Sequence, residues 1–303
     1  MALIAVGVTT KNRPQSLNIC LASLRLAADL IDEVIVFDDG SSPAASETTA
    51  SQPWLKNGVT FLRDEPAPGY VIGRNRLLDA ASAPFMLFLD DDTRLLDRDS
   101  IEKALEMING DASIAAVAFA QAEADGKPWA AAMQPSLASH PCLVPTFIGF
   151  AHLMRREAFQ RVGGYRTLFG FYGEEKELSL RLLEAGYFVA YIPQARVAHV
   201  PDPSGRDRVR YLRQVVRNDC LGSLYNDPLL RLAWRLPAKM ALYFRMRGAW
   251  HIDDPGGFLW LVRELVSVLP AVWRERRPVS RRTLRRWRAL QQSARAVADG
   301  PVT

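Results

Sequence analysis

Two short apolar runs that each end in clustered carboxylates constrain this chain most. Residues 33–37 read Glu-Val-Ile-Val-Phe and lead into Asp38, Asp39, Gly40 and Ser41. Residues 85–89 read Phe-Met-Leu-Phe-Leu and lead into Asp90, Asp91 and Asp92. Continuous apolar runs of this length mark strands buried on both faces. Further strands are expected at 3–9, 59–63 and 114–120. Helical patterns stand between them, at 14–28, 69–81 and 100–108, the first opened by Pro14, which suits a first helical turn. Strands alternating with helices predict an α/β fold around a mainly parallel sheet covered on both faces. Ligands of such sheets bind at the carboxyl ends of the strands, and here two of those ends are acidic. The pattern loosens into loops and short strands over 125–144. A helix is expected at 174–185, with short strands at 187–192 and 196–199.

The 303 residues are 49% hydrophobic and 23% charged, which excludes long disorder, a disulfide mini-scaffold, collagen and a polytopic membrane protein. The net charge of +5 is unevenly spread. Residues 1–203 carry 18 basic and 25 acidic side chains, whereas 204–303 carry 20 basic and 8 acidic. An acidic body with a basic tail predicts two parts, the tail meeting something anionic. Helices are expected in the tail at 206–225, 228–247, 256–276 and 280–297, with 299–303 frayed. Cys20, Cys142 and Cys220 lie too far apart in sequence for a CxxC metal site or a disulfide framework, so a reducing cytoplasm is expected. The N-terminal apolar run lacks a preceding basic region and is read as a strand, not a signal peptide. The nearest approach to a spanning segment, 258–273, is interrupted by Arg263 and Glu264, so no spanning helix is expected.

Several positions can carry chemistry. Three adjacent carboxylates repel one another, and a divalent cation with a taste for oxygen, Mg²⁺ or Mn²⁺, relieves this at Asp90–Asp92; an Asp-rich turn capping the next helix is the plainer alternative. Asp38 or Asp39 can accept hydrogen bonds from a nucleobase edge, or can simply serve a turn. Arg74, in the run Gly73-Arg74-Asn75-Arg76, suits phosphate through its planar fork, or belongs to a solvated surface pair. Glu174 and Glu175 follow Gly173 at a helix start, where carboxylates either complement the helix dipole or supply a general base. His199, just after a short strand, is a metal ligand or a structural histidine; His140, His152 and His251 are taken as structural.

In combination these motifs resemble family 2 of the inverting, nucleotide-sugar-dependent glycosyltransferases, which have the GT-A fold, and among them the rhamnosyltransferase-like bacterial members. The matches are VTTKNRP at the first strand, VIVFDDGS, the GRN helix, FLDDD, GGY, GEEKELSLRL with EAGY, and VAH, in that order over roughly residues 3–200. The resemblance implies a GT-A catalytic domain over 1–203, its nucleotide-binding half at 1–120 and its acceptor half at 121–203, followed by a basic helical extension over 204–303. It implies nucleotide contacts from Thr9, Lys11, Arg13, Asp38, Asp39, Arg74, Asp90 and Asp91. It implies Mn²⁺ or Mg²⁺ held by Asp92, with His199 as an additional ligand. The family's Glu-Asp motif falls on Glu174 and Glu175, so the catalytic base is Glu175 or, because Glu reaches one methylene further than Asp, Glu174. QxxRW, the mark of processive synthases, is incomplete: Gln214 and Arg217 are followed by Asn218. One sugar would then move from UDP-, dTDP- or GDP-sugar to a hydroxyl of a polysaccharide or lipid-linked glycan.

Residues 250–273 combine apolar side chains with tryptophans, and 274–288 carry eight arginines. This reads as an in-plane element on a membrane surface, as helices packed on the sheet, or as a homodimer contact. The location expected is cytoplasmic, peripheral on the inner membrane face in the first case. No nucleic-acid reading motif accompanies the arginines, so no nucleic-acid partner is expected. A sugar-phosphate nucleotidyltransferase is disfavoured because no glycine-rich phosphate loop follows Gly7, and a non-catalytic sugar-nucleotide binder because the acidic set is intact.

Overall fold

A computed structural model describes residues 4–201 and 207–296. The expected boundary at 203 and the expected frayed tail at 299–303 lie outside the described residues. The first half alternates as its sequence requires: β1 (Ile4–Thr10), α1 (Pro14–Ser23), β2 (Ile31–Asp38), the short α2 (Ala45–Thr48), β3 (Val59–Arg63), α3 (Tyr70–Ala80), β4 (Phe85–Asp90), β5 (Thr93–Leu95), α4 (Asp99–Gly110) and β6 (Ile114–Ala122). Helix α1 is shorter than its pattern, because residues 24–30 tighten into 3₁₀ turns with a non-helical Ala27. Then come β7 (Cys142–Val144), β8 (Ala151–Arg155), α5 (Arg156–Arg161), α6 (Glu174–Glu184) and β9 (Phe188–His199). Four long helices close the chain: α7 (Arg208–Asn226), α8 (Leu229–Ala249), α9 (Gly257–Glu275) and α10 (Arg281–Ala296).

The strands form one sheet in the order β3-β2-β1-β4-β8-β6-β9-β5, with β7 also paired to β9. Strands β3, β2, β1 and β4 run parallel. The sequence did not single out β8, which inserts antiparallel between β4 and β6. Its five residues include His152, which is fully buried and so disguises an interior strand as a mixed segment. The strands expected at 187–192 and 196–199 are one strand, β9, whose pairing with β6 shifts register between Ile192 and Arg196, around Pro193.

Apolar side chains fill both faces of the sheet. Leu17 and Leu21 of α1 and Ile101 and Leu105 of α4 pack on one side; Leu77 of α3 and Leu178 of α6 pack on the other. A separate apolar cluster joins α7, α8 and α9 to Phe169. The basic tail therefore packs on the α/β body. Asn218 of α7 donates to the carbonyls of Phe169, Phe171 and Tyr172 at 2.7, 2.6 and 2.7 Å, pinning the loop that enters α6. Among the described residues, no helix is long and apolar enough to cross a membrane.

Candidate active site

Register places the acidic clusters together. Thr10 lies opposite Asp38, and Thr9 opposite Asp90, so the ends of β2, β1 and β4 sit side by side. Thr9 itself is buried on β1. Thr10 Oγ1 donates to Asp91 at 2.8 Å. The Arg13 guanidinium donates to both Asp91 and Asp92 at 3.1 Å. Burial pushes Asp91 up to about 6, against the opposing pull of Thr10 and Arg13. Burial would raise Asp92 too, but His199 and Arg13 outweigh it and hold that carboxyl below its ordinary value.

The neighbours Asp38 and Asp39 differ sharply. Asp38 is buried and accepts from the Ser41 and Ala45 backbone N–H groups at 2.7 and 2.9 Å and from Arg63 at 2.9 Å. It is consumed by its own loop. Asp39 accepts from the Gly69 N–H at 2.7 Å and lies 3.5 Å from Lys11 Nζ, with its side chain 13% exposed.

Arg74 is 3% exposed and reaches three partners at once. It donates to Asp90 at 2.9 Å, to the Gly149 carbonyl at 2.8 Å and to Glu174 at 3.2 Å. Its ring contacts are Tyr70 and Tyr165, at 4.9 and 5.7 Å. Glu174, 1% exposed, also accepts from the Tyr70 hydroxyl at 2.7 Å. Glu175, one residue on, is half-buried, and among the described residues its carboxyl bonds no other side chain. Burial, then the charge of Glu174, push Glu175 up to about 8, against the opposing charge of Arg74. A Cβ on Gly149 would overlap Glu175 Oε1, so only glycine leaves that carboxylate room. Tyr70 and Gly149 carried no signal in the sequence, since their importance comes from contacts with residues far along the chain.

His199 ends β9 and pairs in register with Thr93 of β5, which brings it beside Asp92. Its ring stacks between Trp129 and Phe150, at 5.3 and 5.1 Å. Its Nδ1 meets Gln121 Oε1 at 2.8 Å, and since that amide oxygen only accepts, Nδ1 carries the proton. Nε2 lies 3.5 Å from Asp92 Oδ1, a buried oxygen without a hydrogen-bond partner. An imidazole oriented by a second bond and an orphaned carboxylate oxygen fit a divalent cation. No group of three or more metal-ligating side chains occurs among the described residues. Two protein ligands suit a cation that takes its remaining oxygens from a diphosphate and water.

The profile of glycosyl transferase family 2 matches residues 5–163, and that of glycosyl transferase family group 2 matches 85–252. The chain belongs to glycosyl transferase family 2. This glycosyltransferase is 24% identical over 234 residues, 66% of its length, to "Putative polypeptide N-acetylgalactosaminyltransferase 13" of Drosophila melanogaster, and spans 42% of that relative. Its fold is similar to that of the mannosyltransferase PcManGT from Pyrobaculum calidifontis, solved with GDP-Man and Mn²⁺: TM-score 0.56, 18% identity, 97% of this chain and 85% of that one. It is also similar to GalNAc-T7, solved with UDP, GalNAc and Mn²⁺: TM-score 0.61, 16% identity, 89% of this chain and 58% of that one. The sheet and its flanking helices are thus a GT-A fold, extended by C-terminal helices.

Proposed function

We propose that this glycosyltransferase moves one sugar from a nucleoside-diphosphate sugar to an acceptor hydroxyl with inversion, and that Glu175 is the base. One observation carries the reading. Of the two adjacent glutamates, Glu174 spends Oε1 on Tyr70 and Arg74 and keeps Oε2 buried and unpartnered at 1% exposure, whereas the half-buried Glu175 carboxyl bonds no other side chain among the described residues and stands on a different element from Asp90–Asp92. A base must reach the acceptor hydroxyl while staying off the leaving-group side. The raised pKa matches the task, because a carboxyl near 8 takes a proton more readily than an ordinary one.

On the donor side, Asp39 accepts an N–H of the nucleobase, which favours uracil, thymine or guanine over adenine. Lys11 and Arg13 face the phosphates, while Asp38 and Arg74 shape the site from beneath. Asp92 and His199 hold Mn²⁺ or Mg²⁺, which when bound neutralises the charge developing on the diphosphate. Incubation with a panel of nucleotide sugars and Mn²⁺ tests this. Release of nucleoside diphosphate from one donor, suppressed by EDTA and by Glu175→Gln, is expected; release of pyrophosphate from a nucleoside triphosphate and a sugar phosphate would instead mark a nucleotidyltransferase.

The acceptor is a glycan, lipid-linked, and the C-terminal helices meet the membrane that carries it. Leu259, Val266 and Trp273, spaced by seven along α9, are all more than half exposed, as are Leu229, Leu230 and Trp234 of α8. Arg276, Arg281 and Arg285 border the second group. Exposed apolar side chains fringed with arginine suit an anionic bilayer surface. Co-sedimentation with anionic vesicles that weakens at high salt supports this; dimerisation lost with Trp273→Ala, without vesicle binding, favours a second copy of the chain.

A further inference from the structure

Behind the first turn of α6 lies a cavity of about 480 Å³, walled by α6, α7, α8 and α10. Arg231, Arg235, Lys239, Arg288 and Lys176 line it. The acidic residues on the wall do not balance them. Glu177 is already held by Arg166 and Arg181, at 2.9 and 2.7 Å. Asp219 is shared between Lys176 at 2.8 Å and Lys239 at 3.1 Å. Asp227 is shared between Arg231 at 3.3 Å and Arg235 at 3.1 Å. Neither guanidinium Nε is aligned to donate to it, so these ion pairs leave both buried Nε donors without a hydrogen bond.

Two further groups on the same wall are unsatisfied. Ser223 and Asn226 are 2% and 1% exposed, and Ser223 Oγ and Asn226 Oδ1 have no hydrogen-bond partner among the described residues. Buried polar atoms left unpaired are costly. Here they gather around a space that also holds excess positive charge. Burial lowers Lys239 below its ordinary value, and burial with Arg235 and Arg288 alongside lowers Arg231, so an anion between them would relieve both.

We infer that this cavity is a second anion site, which binds a phosphoryl group through Arg231, Arg235 and the Ser223 hydroxyl. Guanidinium forks match phosphoryl oxygens in geometry as well as charge. The position is informative. Gly173 and Lys176, which bracket the Glu174-Glu175 pair, line the cavity. Arg231, Leu284 and Arg288 line both the cavity and the outer groove that holds Leu229, Leu230 and Trp234. A phosphoryl group here would therefore sit between an exposed apolar patch and the acid pair. That suits the phosphate of an amphipathic acceptor, a source that rests on the function proposed above; the anion site itself does not, and a free phosphate has the same chemistry.

The test uses the full chain and inorganic pyrophosphate in EDTA, followed by calorimetry, with farnesyl diphosphate below its micelle concentration as a second probe. Two variants report on the site. Arg231→Gln with Arg235→Gln removes the forks. Gly222→Leu fills the cavity, and because a Cβ at Gly222 meets nothing within 4 Å, the helix should tolerate it. Saturable pyrophosphate binding, weakened at least tenfold in both variants while UDP binding with Mn²⁺ is unchanged, is expected. Tighter binding of farnesyl diphosphate, lost in the same variants, assigns the site to an amphipathic phosphate; equal affinity assigns it to the free anion. Absence of saturable binding, or affinity unchanged in both variants, overturns the inference. A wild-type protein that fails to bind UDP but binds pyrophosphate would contradict the donor assignment and leave the anion site standing.

Discussion

Asp38 and Glu174 are each the first carboxylate of an adjacent pair, and each is buried beside a more accessible neighbour, yet they are neutralised differently. Asp38 takes two backbone N–H groups from its own loop and one guanidinium, that of Arg63, which is 34% exposed. Glu174 depends on Tyr70 and Arg74, both about a hundred residues away, and Arg74 also serves Asp90 and the Gly149 carbonyl. One pair is built by a turn, the other by the assembled fold. Turn-built charge should tolerate substitution of its cation; fold-built charge should not.

The largest expected effect tests that contrast. Arg74→Met strips the cation from the buried Glu174, and from Asp90 at 35% exposure, and should cost about 3–5 kcal/mol, the range found when one partner of a buried pair is removed. Arg63→Met, at a partly exposed site with backbone donors remaining, should cost about 1 kcal/mol or less. Urea denaturation of both variants measures this, and equal losses would break the comparison.

Next comes Gly149→Ala. The added Cβ overlaps Glu175 Oε1, the free end of a side chain, and also crowds the Arg74 guanidinium at 3.1 Å, so the carboxylate should be displaced and the fold somewhat destabilised but kept. A displacement near 1 Å costs about a hundredfold in turnover. Steady-state rates on a variant that still unfolds cooperatively would show it; normal turnover would mean that Glu175 works from another position.

The two halves of the molecule were unequally legible in the sequence. Strand ends, acidic clusters and the four long C-terminal helices were readable, because apolar runs, turn residues and helical periodicity are local signals. The division of labour within each acidic pair was not, because Asp38 and Asp39 differ only in which way the loop turns them. Arg74 looked like a phosphate ligand, yet its guanidinium is consumed internally by residues from β4, α6 and the segment before β8. The cavity behind α6 was invisible for a similar reason: its cations come from α8, from α10 and, as Lys176, from α6, each unremarkable alone.

A third test uses pH. Glu175 is raised from the ordinary carboxylate range to about 8, so the folded protein keeps a proton there that the unfolded chain has lost. Its contribution to stability is full below the ordinary range and falls as pH rises through about 8. Wild type should therefore lose more stability than Glu175→Gln between pH 5 and pH 9, by urea midpoint. Transfer, which needs the carboxylate, should rise over the same interval. Parallel stability profiles for the two proteins would count against this.

The smallest effect sharpens the first pair. Asp39→Asn should weaken binding of UDP, dTDP or GDP roughly tenfold, the scale of one hydrogen bond to a charged group, with the melting temperature unchanged. Asp38→Asn should lower the melting temperature, since its two backbone donors lose a charged acceptor. Calorimetry and thermal unfolding separate the two, and a donor-binding defect confined to Asp38→Asn would exchange the assignments.

The central claim is that Glu175 removes the acceptor proton while Glu174 holds the site together. Donor binding and sugar transfer measured side by side for Glu175→Gln test it most directly. The account predicts unchanged donor affinity with transfer reduced by about 10²–10⁴-fold, the usual contribution of a general base. Near-normal transfer by Glu175→Gln, at unchanged donor affinity, would contradict it.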